Sequence, residues 1–139
     1  MGLTYADITL LNTVDVTHAK RGHIAEGDVK KVSVKALVDT GAYMLTINDA
    51  IADQLDLEVQ EQTEVVLADG SLRKCDLVGP IDIRFKNRST TCRALVLPQA
   101  DEVLLGAIPL EGMDVVIDPL LQQLDVHPDR PYLAQIKCK

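Results

Sequence analysis

Apolar and polar residues alternate strictly between Lys31 and Val38. Val32, Val34, Ala36 and Val38 point one way, and Lys31, Ser33 and Lys35 the other. A period of two is that of a half-buried strand. Residues 4–11 are rich in β-branched and apolar side chains and predict a strand before it. The polar stretch 12–28, with Gly22 and Gly27, reads as an exposed connection. The period then changes. Ile47, Ile51 and Leu55 recur every four residues, which predicts a short amphipathic helix over 48–55, with Thr46 and Asp49 at N-cap spacing. Two strands follow, over 63–67 and 72–78, around Ala68-Asp69-Gly70-Ser71. Asp-Gly there supplies the positive φ angles of a tight hairpin turn. Gly79-Pro80 predicts a break before another alternating strand, 81–85. Residues 86–89 predict a hairpin turn and 91–97 its returning strand.

Val103-Leu104-Leu105-Gly106 is a short apolar run of the buried kind. Pro109 suits the first turn of a helix over 108–113. Residues 115–117 and 123–126 flank Asp118-Pro119 as a hairpin, and 132–136 predicts a last strand. Many short strands with one or two short helices imply an all-β fold, closed or barrel-like. At 139 residues and 15.2 kDa, residues 1–139 are expected to form one domain.

Charge and composition narrow the function. Fourteen Lys and Arg against 21 Asp and Glu leave a net charge of −7, which argues against a phosphate-backbone binder. Aromatics are 3% of the chain, too few for base-stacking platforms, so no nucleic-acid partner is expected. No run reaches the length of a membrane span, and no basic-then-apolar leader opens the chain. No membrane partner follows. Cys75, Cys92 and Cys138 are an odd, widely spaced set without a CxxC pair, as expected of incidental thiols in a reducing, cytoplasmic setting. His18, His23 and His127 have no ligand spacing and read as surface residues. Asp114, Asp118 and Asp125 are spaced too loosely for an EF-hand loop, and no G-x-S-x-G elbow exists. No metal or organic cofactor is expected.

The informative stretch is Leu37-Val38-Asp39-Thr40-Gly41-Ala42, where an apolar strand ends in a carboxylate, a hydroxyl and a glycine. Three elements in order resemble the retropepsin-like aspartic proteases of clan AA, in their small prokaryotic single-domain form. Val38-Asp39-Thr40-Gly41-Ala42 is similar to the catalytic loop. Val66-Leu67-Ala68-Asp69-Gly70-Ser71 is similar to the flap hairpin. Leu104-Leu105-Gly106 is similar to the apolar-apolar-Gly element that packs beside the catalytic loop. The resemblance implies a closed β-barrel protomer that forms a homodimer and builds one active site. It implies catalytic roles for Asp39, Thr40 and Gly41. Substrate-contacting roles fall to Ala42 and to Ala68, Asp69 and Gly70 of the flap, closing over an extended peptide.

Elementary chemistry points the same way. Two carboxylates about 3 Å apart share one proton, because both cannot ionise. Asp-Thr-Gly occurs once in the chain, so a second carboxylate must come from a second copy. Viral members of the family commonly carry two acidic residues after this motif and an Arg after the apolar-apolar-Gly; Tyr43, Met44 and Ala107 stand there. An aspartic endopeptidase is the expected function. The alternatives are a catalytically inactive module on the same barrel, serving dimerisation or peptide binding, and an unrelated all-β ligand-binding barrel.

Overall fold

A computed structural model describes residues 3–98 and 100–136; Cys138 lies outside the described residues. The strands are β1 (Tyr5–Asn12), β2 (Lys31–Val38), β3 (Leu45–Ile47), β4 (Glu58–Val66), β5 (Leu72–Phe85), β6 (Arg88–Val96), β7 (Val103–Leu105), β8 (Val115–Asp118) and β9 (Gln123–Val126). The helices are α1 (Thr13–Lys20), α2 (Asp49–Gln54) and α3 (Ala107–Met113), with a 3-10 turn at Glu26–Asp28. The strands pair in the order β4-β5-β6-β3-β7-β2-β1-β9-β8, and β1 also pairs with β5. That second pairing closes β5, β6, β3, β7, β2 and β1 into a six-stranded barrel, which removes the open edges of those strands. The fold is the all-β closed barrel expected.

Alternation dictates what fills the barrel. β1 and β2 run antiparallel with Ile8 opposite Val34 and Ala6 opposite Ala36. Ile8, Leu10, Leu45, Ile47, Ile81, Ile83 and Leu105 are essentially fully buried and meet in one core. Each would cost about 2–5 kcal/mol if truncated to alanine. β7 lies between β2, to which it is parallel, and β3, to which it is antiparallel. The segment from Asp39 to Met44 joins β2 to β3 and must therefore pass over the end of β7. This crossing positions the candidate site.

Several local expectations need correction. The stretch 12–28 is not merely a connection. It holds α1, because the Asn12 side chain accepts a hydrogen bond from the Asp15 amide and caps that helix. α2 is capped by Asn48, whose oxygen accepts from the Ile51 amide at 2.9 Å; Thr46 instead lies buried in β3. Gly79-Pro80 does not end a strand. β5 runs through it over 14 residues, and the register against β6 shifts between Val78 and Ile81. β4 is nine residues long, beginning at Glu58 rather than 63. Residues 132–136 form no strand. The backbone there is held by side chains instead, with the Gln135 amide donating to Asp114 and Asn87 Nδ2 donating to the Pro131 carbonyl. Helices number three among the described residues, against the one or two expected.

Candidate active site

β2 carries its apolar alternation to Val38, whose amide donates to the Thr4 carbonyl at 2.8 Å. The next amide, of Asp39, donates to the Leu105 carbonyl at 3.1 Å, so the last ladder bond of β7 fixes the backbone at the carboxylate. The chain then turns. The Ala42 amide donates to the Asp39 carbonyl at 3.1 Å, and the Gly41 amide donates to Asp39 Oδ1 at 3.0 Å. A Cβ on Gly41 would stand 3.2 Å from that same Oδ1, so glycine leaves the carboxylate room. Asp39 is half-buried and Thr40 and Gly41 are exposed. Asp39 Oδ2 has no partner among the described residues. The result is a carboxylate held through one oxygen, with the other free to take a water or a second acid.

The loop is braced from behind by the segment after β7. The Ala107 amide donates to the Ala42 carbonyl at 2.9 Å, and the Ile108 amide to the Tyr43 carbonyl at 3.0 Å. Gly106 sits in the angle between them. A Cβ there would stand 2.5 Å from the Met44 carbonyl oxygen and 2.8 Å from the Met44 nitrogen. No side chain fits against backbone at that distance. Leu104-Leu105-Gly106 thus supplies two strand residues, an acceptor for Asp39 and the gap into which residues 43 and 44 pack.

The β4–β5 hairpin shares an apolar cluster with Met44 of this loop. The Gly70 amide donates to the Leu67 carbonyl and the Leu67 amide to the Ser71 carbonyl, both at 2.9 Å. Only Gly70 at the tip has a positive φ, +84°. The turn is therefore of the type that ends in one left-handed glycine, rather than a two-residue turn with positive φ at both positions. Asp69 Oδ1 accepts from both the hydroxyl and the amide of Ser71, which holds its carboxyl below the usual range. Ala68, Asp69 and Gly70 are all exposed, and the hydrogen bonds they make stay within the hairpin. The hairpin and the loop are joined lower down. Cys75, Leu77 and Leu95 form a small apolar cluster outside the barrel, with Val65 of β4, Leu97 and Met44 packed against it.

Two apolar hollows border the loop. One, of about 670 Å³, lies beside Thr40 and is lined mainly by Leu110, Val115, Val116, Leu124 and Ile136. The other, of about 250 Å³, lies behind Tyr43 and Met44. Neither was legible in the sequence, because each joins the loop to walls far along the chain, from Cys92 for the smaller to Ile136 for the larger. Of the remaining candidates, His127 lines the hollow beside Thr40 and Cys92 the one behind Tyr43. His18 and His23 meet edge to face, ring centroids 6.0 Å apart, at the end of α1. His127 Nδ1 accepts from the Asp129 amide. Cys75 is buried, and Cys92 is partly buried with its thiol pushed up to about 11 by desolvation and by the nearby Asp82 charge. Among the described residues no three His, Cys, Asp or Glu side chains converge as a metal site. None of the described helices is long and apolar enough to cross a membrane.

Residues 25–111 match the family model described as "gag-polyprotein putative aspartyl protease". That span runs from before β2 into α3 and includes the loop, the projecting hairpin and the Gly106 brace. No curated protein matches the chain.

Proposed function

Because the chain belongs to the gag-polyprotein aspartyl protease family, a retropepsin-like group, we propose that it is an aspartic endopeptidase whose acid dyad forms across a homodimer. The observation that carries this reading is the single Asp-Thr-Gly loop, braced at Asp39 and at Gly106, with one carboxylate oxygen free. In a two-fold dimer the two copies of Asp39 meet at the axis and share a proton. The ionised one takes a proton from water; the protonated one donates to the scissile carbonyl. They titrate as one coupled pair. Thr40 holds the two loops together across the axis, and Gly41 and Ala42 keep the floor low beneath the substrate. The hairpin tip, Ala68 to Gly70, closes over an extended peptide, adds main-chain hydrogen bonds and excludes water.

The surface beside the loop supports a second copy as partner. The larger hollow is apolar and begins at Thr40. β8 ends the strand order, and among the described residues no strand pairs with its outer edge. Ile117 on that edge and Leu120 and Leu121 at the hairpin tip are exposed. Open edges flanked by apolar side chains pair readily with another chain.

The test compares wild type with Asp39→Asn on a diverse peptide library, from about pH 3.5 to 7, the range over which a shared-proton dyad titrates. Wild type is expected to cut, and Asp39→Asn to lose roughly a thousandfold or more in kcat/KM. Equal cutting by both proteins would overturn the role of Asp39. No cutting by wild type shown to be dimeric would leave a peptide-binding or dimerisation module.

A further inference from the structure

A third hollow, of about 140 Å³, lies where α1 meets the outer face of the barrel. Its floor is Leu11, Val16 and Val29, and Lys20 of α1, Lys31 of β2 and Arg84 of β5 stand around it. Leu11 and Val16 are buried, but outside the cluster that fills the barrel. We propose that the hollow is a docking site for an extended acidic segment of a partner protein. In that segment one Leu- or Phe-sized residue enters the hollow and an Asp or Glu stands two positions away on each side. The site is independent of the protease reading. Lys31 opens β2 and Asp39 follows its end, about 26 Å of strand away.

Charge selects the occupant. Lys20, Lys31 and Arg84 are exposed, and none of them forms an ion pair among the described residues. Against these three cations the lining sets one carboxylate, Glu26. Asp15 of α1 is held by Lys30 at 3.2 Å. Asp82, opposite Leu11 on β5, accepts from the hydroxyls of Thr13 and Thr91. The cationic excess is local, because the chain as a whole carries −7. Neighbouring like charges repel, and an anionic partner relieves that repulsion.

Size and spacing select its form. An apolar cavity of about 150 Å³ holds a benzene ring, so the hollow has room for one apolar side chain. Lys31 lies opposite Leu11 on one side of β1, and Arg84 opposite Thr9 on the other. Two strand spacings across and two residues along put their Cα atoms about 12 Å apart. In an extended peptide, residues four apart are separated by about 13 Å and share a face with the one midway. A peptide laid across the hollow therefore turns its middle side chain onto Leu11 and its two acids toward Lys31 and Arg84. The walls are held before a partner arrives. The Asn12 amide donates to the Lys30 carbonyl and the Lys30 amide to Asp15, both at 3.0 Å, which pins both ends of the excursion 13–30. α1 precedes residue 25, so that wall lies outside the family-matched span.

The experiment is fluorescence anisotropy with a labelled peptide, Gly-Glu-Ser-Leu-Ser-Glu-Gly, on protein carrying Asp39→Asn so that the peptide stays whole. Lys31→Glu and Arg84→Glu are added singly; each reverses an exposed charge and leaves the core untouched. Binding is expected with a Kd below about 1 mM. It should weaken roughly tenfold in each charge-reversed protein, and roughly tenfold when Ser replaces the peptide's Leu. Raising salt from about 50 to 300 mM should weaken it too. No binding, binding unchanged by both reversals, equal binding of a peptide with Gln for Glu, or indifference to the Leu overturns the site. Any of these leaves the protease reading standing, since cleavage by wild type decides that.

Discussion

Gly106 shows how one missing side chain holds the site in place. An alanine methyl would meet the Met44 carbonyl oxygen at 2.5 Å, and backbone cannot swing aside as a side chain can. Gly106→Ala is expected to destabilise the fold by about 2 kcal/mol or more. Urea denaturation reads this directly, and an unchanged midpoint would contradict the brace. Asp114 makes a different point. It caps α3 with a left-handed φ of 54° and takes a bidentate pair from Arg130, Nε at 2.7 Å and Nη2 at 2.9 Å. The Arg130 hydrogen bonds, then that from the Gln135 amide, hold its carboxyl well below the usual range. A depressed carboxylate contributes stability above its unfolded pKa of about 4 and loses it as pH falls through the folded value. Thermal scans should show stability declining below about pH 4, and Asp114→Asn, which tolerates the same backbone, should flatten that decline. An identical acid limb in the variant would sink the assignment. Asp39 and Gly41 were legible in the sequence because their chemistry is local, a carboxylate and a bare backbone two residues apart. The Asp114–Arg130 pair was not, because its partner lies 16 residues away, in the proline-flanked stretch Pro128-Asp129-Arg130-Pro131.

Among the elements, those with a repeating pattern were the ones the sequence disclosed. β2 matches its predicted bounds, since both faces of its alternation are expressed as half-buried and exposed positions. β8 and β9 pair as predicted, Val115 opposite Val126 to Asp118 opposite Gln123. α1 escaped notice because only Val16 of its eight residues is buried, so it has no apolar stripe to read. Its signal was the capping residue. Asn12 accepts from Asp15 at one end of its amide, while Nδ2 donates to the Leu55 carbonyl at 2.9 Å, tying α1 to the end of α2. Asn12→Ala is expected to cost about 2 kcal/mol, a lost cap plus a buried carbonyl left unpaired. Denaturant titration checks this, and a change within about 0.5 kcal/mol, the range of a neutral surface substitution, would contradict it. β5 was divided at Gly79-Pro80 because that dipeptide usually interrupts a strand. The strand continues because the register shifts against both neighbours, against β4 between Val59 and Glu61, where the extra residue lies on β4, and against β6 between Val78 and Ile81 of β5 itself. The same shift lets β5 serve two layers, with Cys75 and Leu77 under the hairpin and Ile81 and Ile83 inside the barrel.

For the molecule as a whole, strand content implied a barrel, and its closure rests on Thr9 to Asn12 of β1 pairing with Ile81 to Arg84 of β5. That contact spans some 70 residues, and no local pattern encodes it. The family resemblance supplied what the pattern lacked, namely which loop lies at the end of which strand. The surface around Thr40, β8 and the Leu120–Leu121 tip follows from the same assembly. If a second copy covers it, Ile117→Asp should weaken association at least tenfold, a buried apolar side chain having been replaced by a charge, and should shift activity to higher protein concentration. Sedimentation at graded concentration reads the first effect. An unaltered association constant would remove β8 from the interface.

The claim that one active site needs Asp39 from two chains can be tested by mixing. Wild type and Asp39→Asn are combined in varied ratio at constant total protein, allowed to exchange, and assayed on a peptide that wild type cleaves. If the dyad spans a homodimer, only pairs of wild-type chains are active, so an equal mixture retains about a quarter of full activity. If each chain carries a complete site, the equal mixture retains about half and activity falls in proportion to the wild-type fraction, which would contradict the shared dyad.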